Sequence, residues 1–134
     1  MPVMTVTTTN FRREVLEGDR PVIVDFYADW CGPCKRIAPA LEALSEKWDG
    51  QIRFAQVDID AHPEIARGYN ISSIPAVLRF EDGEVTNWSL GAKPIYLMEK
   101  ELRLTKRGVA GGTDSGLLAR LFGRSQDRGD GSPA

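Results

Sequence analysis

The sequence predicts an α/β protein whose central mixed β-sheet is flanked by helices on both faces. Strand-like apolar runs alternate with helix-like segments in the order strand-helix-strand-helix-strand-helix-strand-strand-helix. The run at 22–27 is apolar on both faces, which is typical of a strand in the middle of a parallel sheet. Asp82 and Gly83 separate the last two strand-like runs, which indicates a hairpin and therefore an antiparallel pair.

The elements can be placed in chain order. We predict strands over 3–8, 22–27, 52–58, 76–80 and 85–90, and helices over 11–16, from about 35 to 48, from 63 and from about 94. Pro39 falls inside the long helix, where it should remove a backbone hydrogen bond and bend the helix. A chain of 134 residues with 42% hydrophobic content can bury one core. We therefore expect one folded domain, over 1–107.

The two cysteines of the chain lie in the motif Trp30-Cys31-Gly32-Pro33-Cys34, between the central strand and the long helix. Side chains three apart on a helix share a face with Cβ atoms about 5 to 6 Å apart, so a disulfide between them can form and break after small rearrangements. A helix N-terminus stabilises an anion such as a thiolate, the reactive form of cysteine. We expect Cys31, the more exposed, to attack target disulfides and Cys34 to resolve the mixed disulfide. Pro33 fits the first helical turn, and Gly32 allows another chain to approach closely.

A zinc site and a static disulfide are the alternative uses of this pair. Structural zinc takes four ligands, and Cys31, Cys34 and the single His62 fall short of that number. A disulfide that closes so short a loop constrains the unfolded chain very little. We therefore expect redox chemistry without a bound metal, and a solvated His62 at a loop-to-helix junction.

Composition and charge limit the partners and the compartment. The formal net charge of −2 is too small to indicate a nucleic-acid or membrane partner. The first residues lack a basic start and an apolar stretch, and no apolar run approaches the roughly 18 residues of a membrane span. We therefore expect a cytoplasmic protein. In that reducing compartment, paired cysteines serve catalysis more often than structure.

The sequence resembles the thioredoxin family, as a bacterial-type member with a C-terminal extension, over about residues 5–104. The resemblance is carried by Val24-Asp25-Phe26-Tyr27-Ala28-Asp29 before the cysteine motif, Lys35 and Pro39 after it, and then Ile74-Pro75, Asp82-Gly83 and Gly91-Ala92. It implies the thioredoxin fold and a protein-disulfide reductase that acts by dithiol–disulfide exchange in cell redox homeostasis, without a cofactor of its own. It further implies disulfide-containing target proteins, a flavin-dependent thioredoxin reductase as electron donor, and a monomer.

Asp25 is the third candidate catalytic residue. It interrupts the apolar strand at 22–27, so its carboxyl is expected to lie inside the protein, where burial raises its pKa. The resemblance implies that it accepts a proton near Cys34, while a strand-end aspartate bonded to a backbone N–H is the alternative. Gln56 stands where many bacterial members carry a lysine close to this aspartate, so Asp25 should be harder to ionise here.

The resemblance also implies a cis bond between Ile74 and Pro75, lying against the cysteines, with the preceding backbone pairing with an extended target chain. An ordinary trans proline that opens a strand is the alternative. Ala76 and Tyr27 depart from the threonine and tryptophan common in the family, and we interpret both as tolerated variation. The family's flat apolar docking surface for targets is matched here by Trp30, Gly32, Pro33, Ile59, Ile74, Leu90, Gly91 and Ala92.

Residues 108–134 are unlike the family. Their Gly, Ser, Asp and Arg content is typical of a disordered tail. Within it, 116–123 places four apolar side chains on one helical face: Leu117, Leu118, Leu121 and Phe122. So short a helix needs a surface to lie on, which leaves a loose tail, docking on the parent domain or a partner, and weak membrane contact open. The tail is the one feature that favours an alternative function, a thioredoxin-fold binding subunit of a larger enzyme whose cysteines need not cycle.

Overall fold

The chain folds around a five-stranded sheet in the computed structural model, which describes residues 3–104. The strands are β1 (Val3–Thr5), β2 (Val22–Tyr27), β3 (Arg53–Asp58), β4 (Ala76–Glu81) and β5 (Glu84–Leu90). The helices are a short π-helix (Arg12–Leu16), α1 (Gly32–Lys47), α2 (Pro63–Gly68) and α3 (Ile95–Glu101). These elements follow the predicted order and belong to one compact unit that ends at Leu102.

The sheet is mixed, with the strand order β1-β3-β2-β4-β5. β3 is parallel to β1 and β2, whereas β4 is antiparallel to β2 and β5. β2 is therefore central, and its apolar residues are buried on both faces, as its sequence predicts. Asp82 and Gly83 connect β4 to β5 with φ of 55° and 81°, the positive values that tight hairpins require. The predicted α/β class and hairpin are confirmed.

Helices cover both faces of this sheet. On one face, the side chains of Val22, Val24 and Phe26 pack in a core cluster with residues of the π-helical region and α2. Side chains alternate along a strand, so Ile23 and Asp25 point to the opposite face. The buried residues of α1 lie outside that cluster, and α1 packs on β1 and β3 while α3 packs on β5. The cysteine motif lies where β2 ends and α1 begins.

Two element boundaries differ from the prediction by more than one residue, each for an identifiable reason. β1 ends at Thr5 instead of residue 8, because the side chain of Asn10 accepts a hydrogen bond from the backbone N–H of Thr7 (2.8 Å) and closes a turn. α1 begins at Gly32 instead of near 35, since Pro33 is compatible with the first helical turn. The helix then continues through Pro39.

His62 was predicted to be solvated, and this was wrong in part. It is half-buried, and its Nδ1 accepts a hydrogen bond from the backbone N–H of Thr8 (3.2 Å), which connects the start of α2 to the loop after β1. The predicted boundary at 107/108, the tail and its segment 116–123 lie outside the described residues. Within residues 3–104, no helix is long and apolar enough to cross a membrane, and no group of three His, Cys, Asp or Glu residues is placed to hold a metal ion.

Candidate active site

Cys31 and Cys34 form a disulfide at the N-terminus of α1, with Cα atoms 5.3 Å apart. Cys31 is the N-cap residue and has an extended backbone, whereas Cys34 lies in the first helical turn. The Sγ atom of Cys31 accepts a hydrogen bond from the backbone N–H of Cys34 (3.2 Å). This N–H is one of the donors that a helix N-terminus leaves without an intrahelical partner. The sulfur of Cys31 therefore occupies the position where an anion is stabilised.

The two cysteines are equally buried in this disulfide form, at 4% exposure each. The expected greater exposure of Cys31 is therefore absent. The pair packs in a small cluster with Ala28, and Tyr27, Ile59 and Ile74 pack against that cluster. Because Ile59 and Ile74 come from distant parts of the chain, the covering of Cys31 could not be inferred from its position in the motif.

Asp25 is buried in the middle of β2, at 6% exposure, as predicted. Its Oδ1 atom makes no hydrogen bond to the described protein atoms. Desolvation by burial raises the pKa of this carboxyl to about 7, well above the usual value of an aspartate. The alternative was a strand-end aspartate bonded to a nearby backbone N–H. Asp25 instead lies inside the strand, and its Oδ1 accepts no hydrogen bond from a described N–H.

Gln56 is the register partner of Asp25 on β3. Neighbouring strands place such partners side by side on the same face, which is where a cation could offset the carboxylate charge. The side-chain amide of Gln56 instead donates a hydrogen bond to Oγ1 of Thr5 on β1 (3.3 Å). Position 56 therefore supplies no positive charge to offset the desolvation of the Asp25 carboxylate.

Pro75 follows a cis peptide bond, as the resemblance implies. Its carbonyl oxygen accepts a hydrogen bond from the backbone N–H of Gly91 (2.9 Å), and Ala76 pairs with Leu90 in the antiparallel register of β4 and β5. Gly91 has φ of 83°, a backbone conformation that favours glycine. The loop before β4 and the end of β5, with Ala92 next along the chain, therefore form one continuous surface.

Trp30 and Gly32 form the outward part of the site. Trp30 is 70% exposed, and its Nε1 donates a hydrogen bond to Oδ2 of Asp60 (2.9 Å). Asp60 is held in turn by its own N–H, which donates to Oδ1 of Asp58 (2.9 Å). A Cβ built on Gly32 would meet no atom within 4 Å, so the motif faces open space there. Pro33 is half-buried in the first turn of α1.

Asp60 is a site residue that the sequence reasoning missed. A signal was present, because Asp58 ends β3 and Asp60 follows two residues later, at the same sheet edge where β2 leads into the cysteine motif. Parallel neighbouring strands end at a common edge, which brings Asp60 under Trp30.

The site can store two electrons in a dithiol and release them as it forms a disulfide. A disulfide at a helix N-terminus, a buried carboxyl with a raised pKa and an adjoining surface with exposed apolar groups together define a thiol–disulfide oxidoreductase. A surface of this kind suits another polypeptide better than a small ligand enclosed in a cavity.

Comparison with known proteins identifies the family. The family model described as Thioredoxin matches residues 2–103. The chain is 46% identical over 92 residues to thioredoxin C-2 of Corynebacterium nephridii, covering 69% of this chain and 85% of that protein. It is 39% identical over 102 residues to the thioredoxin of Porphyra purpurea, covering 76% and 95%, and 46% identical over 89 residues to that of Streptomyces clavuligerus, covering 66% and 82%. The chain belongs to the thioredoxin family, and its mixed sheet with helices is the thioredoxin fold.

Membership gives the general activity. The protein is an oxidoreductase of disulfide-containing targets that acts by dithiol–disulfide exchange, and Cys31 and Cys34 are its redox-active pair.

Proposed function

We propose that the protein is a cytoplasmic, monomeric protein-disulfide reductase in which Cys31 attacks, Cys34 resolves and Asp25 accepts a proton. The observation that carries this assignment is the hydrogen bond from the N–H of Cys34 to Sγ of Cys31 at the start of α1. After reduction of the disulfide, the same N–H and the helix terminus favour the thiolate of Cys31 over its thiol. We place the catalytic domain at 1–107.

The reaction then proceeds in two exchanges. The Cys31 thiolate attacks one sulfur of the target disulfide, and the other target sulfur leaves as a thiolate that takes a proton. The Cys34 thiol gives its proton to Asp25 and attacks Sγ of Cys31, which breaks the mixed disulfide, and the second target sulfur leaves as a thiolate that takes a proton. The target disulfide has become two thiols, and the two thiols of this protein have become the disulfide seen in the structure.

Asp25 suits the second exchange. A carboxyl with a pKa of about 7 is divided between its two protonation states at neutral pH, so it can accept a proton and release it again. Cys34 needs such an acceptor because its sulfur is buried and lacks the N-cap position that favours the Cys31 thiolate.

The docking surface would hold the target during both exchanges. Its members Trp30, Leu90 and Ala92 are exposed, and Ile59 and Ile74 pack against the cysteine cluster. A target chain that lies along Ile74 could pair with the backbone there as a short added strand. Gly32 leaves room for the approach of that chain to Cys31.

The first prediction concerns the reactivity of Cys31. In the reduced protein, Cys31 should react with iodoacetamide at pH 7, where a free thiol with a pKa of about 8.5 is mostly protonated and slow. Alkylation rates measured from pH 5 to pH 9 should show one fast thiol. The fast reaction should vanish in Cys31→Ser and after unfolding in urea, which removes the helix N-terminus. A pH profile in folded protein equal to that in urea would contradict the proposed environment.

The second prediction tests the overall function. The wild type should accelerate the reduction of insulin disulfides by dithiothreitol, and a flavin-dependent thioredoxin reductase with NADPH should replace dithiothreitol as the electron source. The double variant Cys31→Ser with Cys34→Ser should be inactive in both assays. Insulin reduction at the background rate by the wild type would favour the binding subunit whose cysteines need not cycle. Insulin reduction with dithiothreitol, but not with the flavin-dependent thioredoxin reductase and NADPH, would support the protein-disulfide reductase function and exclude that reductase as the electron donor.

A further inference from the structure

An open groove lies beside the docking surface, between β5 and the segment that leads from α2 to β4. It has a volume of about 380 Å³. We call it the β5 groove, and the large apolar side chains that line it are those of Tyr69, Ile71, Leu78, Val85, Trp88 and Leu90.

The β5 groove exists because two large apolar side chains on an edge strand are left uncovered. Trp88 pairs with Leu78 and Leu90 pairs with Ala76, so all four lie on the same face of the sheet. Ser89, between the two, is 1% exposed on the other face. Trp88 and Leu90 are each 46% exposed. Adjoining apolar side chains left this exposed commonly indicate a binding surface.

The occupant must be uncharged where it meets this groove. None of the described residues that line it is charged, although Asp, Glu, Lys and Arg make up 27% of the chain. The polar groups at its rim are neutral, namely the side chains of Asn70, Ser72 and Ser73. Such a lining favours an aliphatic or aromatic side chain over a charged one.

The β5 groove is continuous with the proposed docking surface. Leu90 belongs to both, and Ser72 and Ser73 lead directly into Ile74 and Pro75. Trp88 comes two residues before Leu90 in β5, so it lies about 7 Å further along the strand from Gly91, which bonds to Pro75, at roughly 3.3 Å per residue. An extended target chain that passes Ile74 would reach the groove a few residues from its reacting cysteine.

Resting on the proposed function, we propose that the β5 groove binds an apolar side chain of the target polypeptide, about two to four residues from the attacked cysteine at roughly 3.3 Å per residue. Trp88 is then the specificity-determining residue of the groove. The substrate class is disulfides whose flanking sequence carries a leucine or aromatic residue at that spacing.

The test compares peptide disulfides that differ only at the flanking position. Each peptide has one cysteine in a Ser/Gly background, joined as a disulfide to 5-thio-2-nitrobenzoate, whose release is followed by absorbance. One peptide has no apolar residue, and the others carry a single leucine two, three or four positions before or after the cysteine. The measured quantity is the second-order rate constant with the reduced, full-length protein. The wild type should react about fivefold to tenfold faster with the best leucine peptide than with the serine peptide.

Variants then assign the preference to the groove. In Trp88→Ser the ratio of the two rate constants should fall to about one, and in Trp88→Phe the preference should remain. Tyr96→Ser is the matched control, because Tyr96 is an aromatic residue on α3 that is 66% exposed and does not line the groove, and it should keep the preference. As a control for folding of the cysteine site, each variant is also reacted with the disulfide of 5-thio-2-nitrobenzoate itself, which carries no peptide.

Four outcomes would overturn the proposal. Equal rates for all peptides in the wild type would mean that the groove does not contribute to target binding, and a preference that persists in Trp88→Ser would mean that the preference arises elsewhere. A dimer that Trp88→Ser dissociates would assign the groove to a second copy of the chain, and rates on both peptides that rise when residues 109–134 are removed would assign it to that segment. Failure of the proposed function can be distinguished from failure of the groove proposal, because the wild type would then also fail to reduce insulin.

Discussion

Cys34→Ser will accumulate mixed disulfides with target proteins, and Cys31→Ser will not. With Cys34 replaced, the Cys31 thiolate still attacks a target disulfide, but no second thiol remains to release the target. With Cys31 replaced, the remaining thiol lies one turn into α1 and lacks the N-cap position that accepts the N–H of residue 34. Both variants should lose insulin reduction down to the background rate, so loss of activity does not separate the two roles.

The yield of covalent complex separates them. A target with one disulfide is incubated with each reduced variant, free thiols are blocked, and the products are analysed on a non-reducing gel and by mass spectrometry of the joined peptides. Complexes joined through Cys31 should dominate in Cys34→Ser, and the double serine variant should form none. Complexes that form mainly through Cys34 in the Cys31→Ser variant would reverse the assignment.

The fold could be predicted because each element carries its own local signal. β2 is apolar on both faces and is central, and Asp82-Gly83 predicts the β4–β5 hairpin. The ends of strands and helices were less predictable where a side chain takes the place of a backbone hydrogen-bond partner. Asn10 closes a turn that ends β1, and nothing in the apolar pattern of residues 3–8 indicates it.

The site was predictable where its chemistry is local, and unpredictable where it depends on contacts between distant residues. The cysteine spacing, the helix N-terminus and the burial of Asp25 can all be inferred within one segment. The burial of Cys31 depends on Ile59 and Ile74, and the orientation of Trp30 depends on Asp60, thirty positions away. The β5 groove requires the register that places Trp88 opposite Leu78.

Asp25→Asn should make the protein more stable at neutral pH. The carboxyl is buried, its Oδ1 has no hydrogen bond to described atoms, and Gln56 supplies no countercharge. Its pKa is raised to about 7 in the folded protein, whereas an aspartate in the unfolded chain has a pKa of about 3.9. Removing the ionisable group therefore removes an unfavourable buried charge.

The sign of the pH dependence follows from these two values. Because the folded pKa is the higher one, the folded state holds its proton more tightly, and this contribution to stability is complete below about pH 4. This contribution to stability decreases by about 1.4 kcal/mol per pH unit between the two pKa values and is lost as the pH rises through about 7. The advantage of Asp25→Asn should therefore grow between pH 4 and pH 8 by about 4 kcal/mol in the free energy of unfolding.

Urea unfolding of both proteins at pH 4, 6 and 8 measures this difference. The asparagine amide adds a buried donor, whose cost is the same at every pH, so the change in the difference with pH is the decisive quantity. Asp29→Asn is the matched control, because Asp29 is exposed at the end of the same segment, and it should show no comparable gain. A constant difference between Asp25→Asn and the wild type from pH 4 to pH 8 would mean that Asp25 is solvated or paired in solution.

The same substitution should slow the second exchange more than the first. Attack by Cys31 depends on the N-cap hydrogen bond, which Asp25→Asn leaves in place, whereas the buried Cys34 thiol loses its proton acceptor. In a single turnover with a fluorescent target disulfide, the mixed disulfide should form at nearly the wild-type rate and then persist. In the wild type, the rate of target release should rise with pH through about 7, as Asp25 becomes able to accept a proton. That rise should be absent in Asp25→Asn. Equal slowing of both exchanges would indicate that Asp25 acts on the cysteine pair through structure and not through proton transfer.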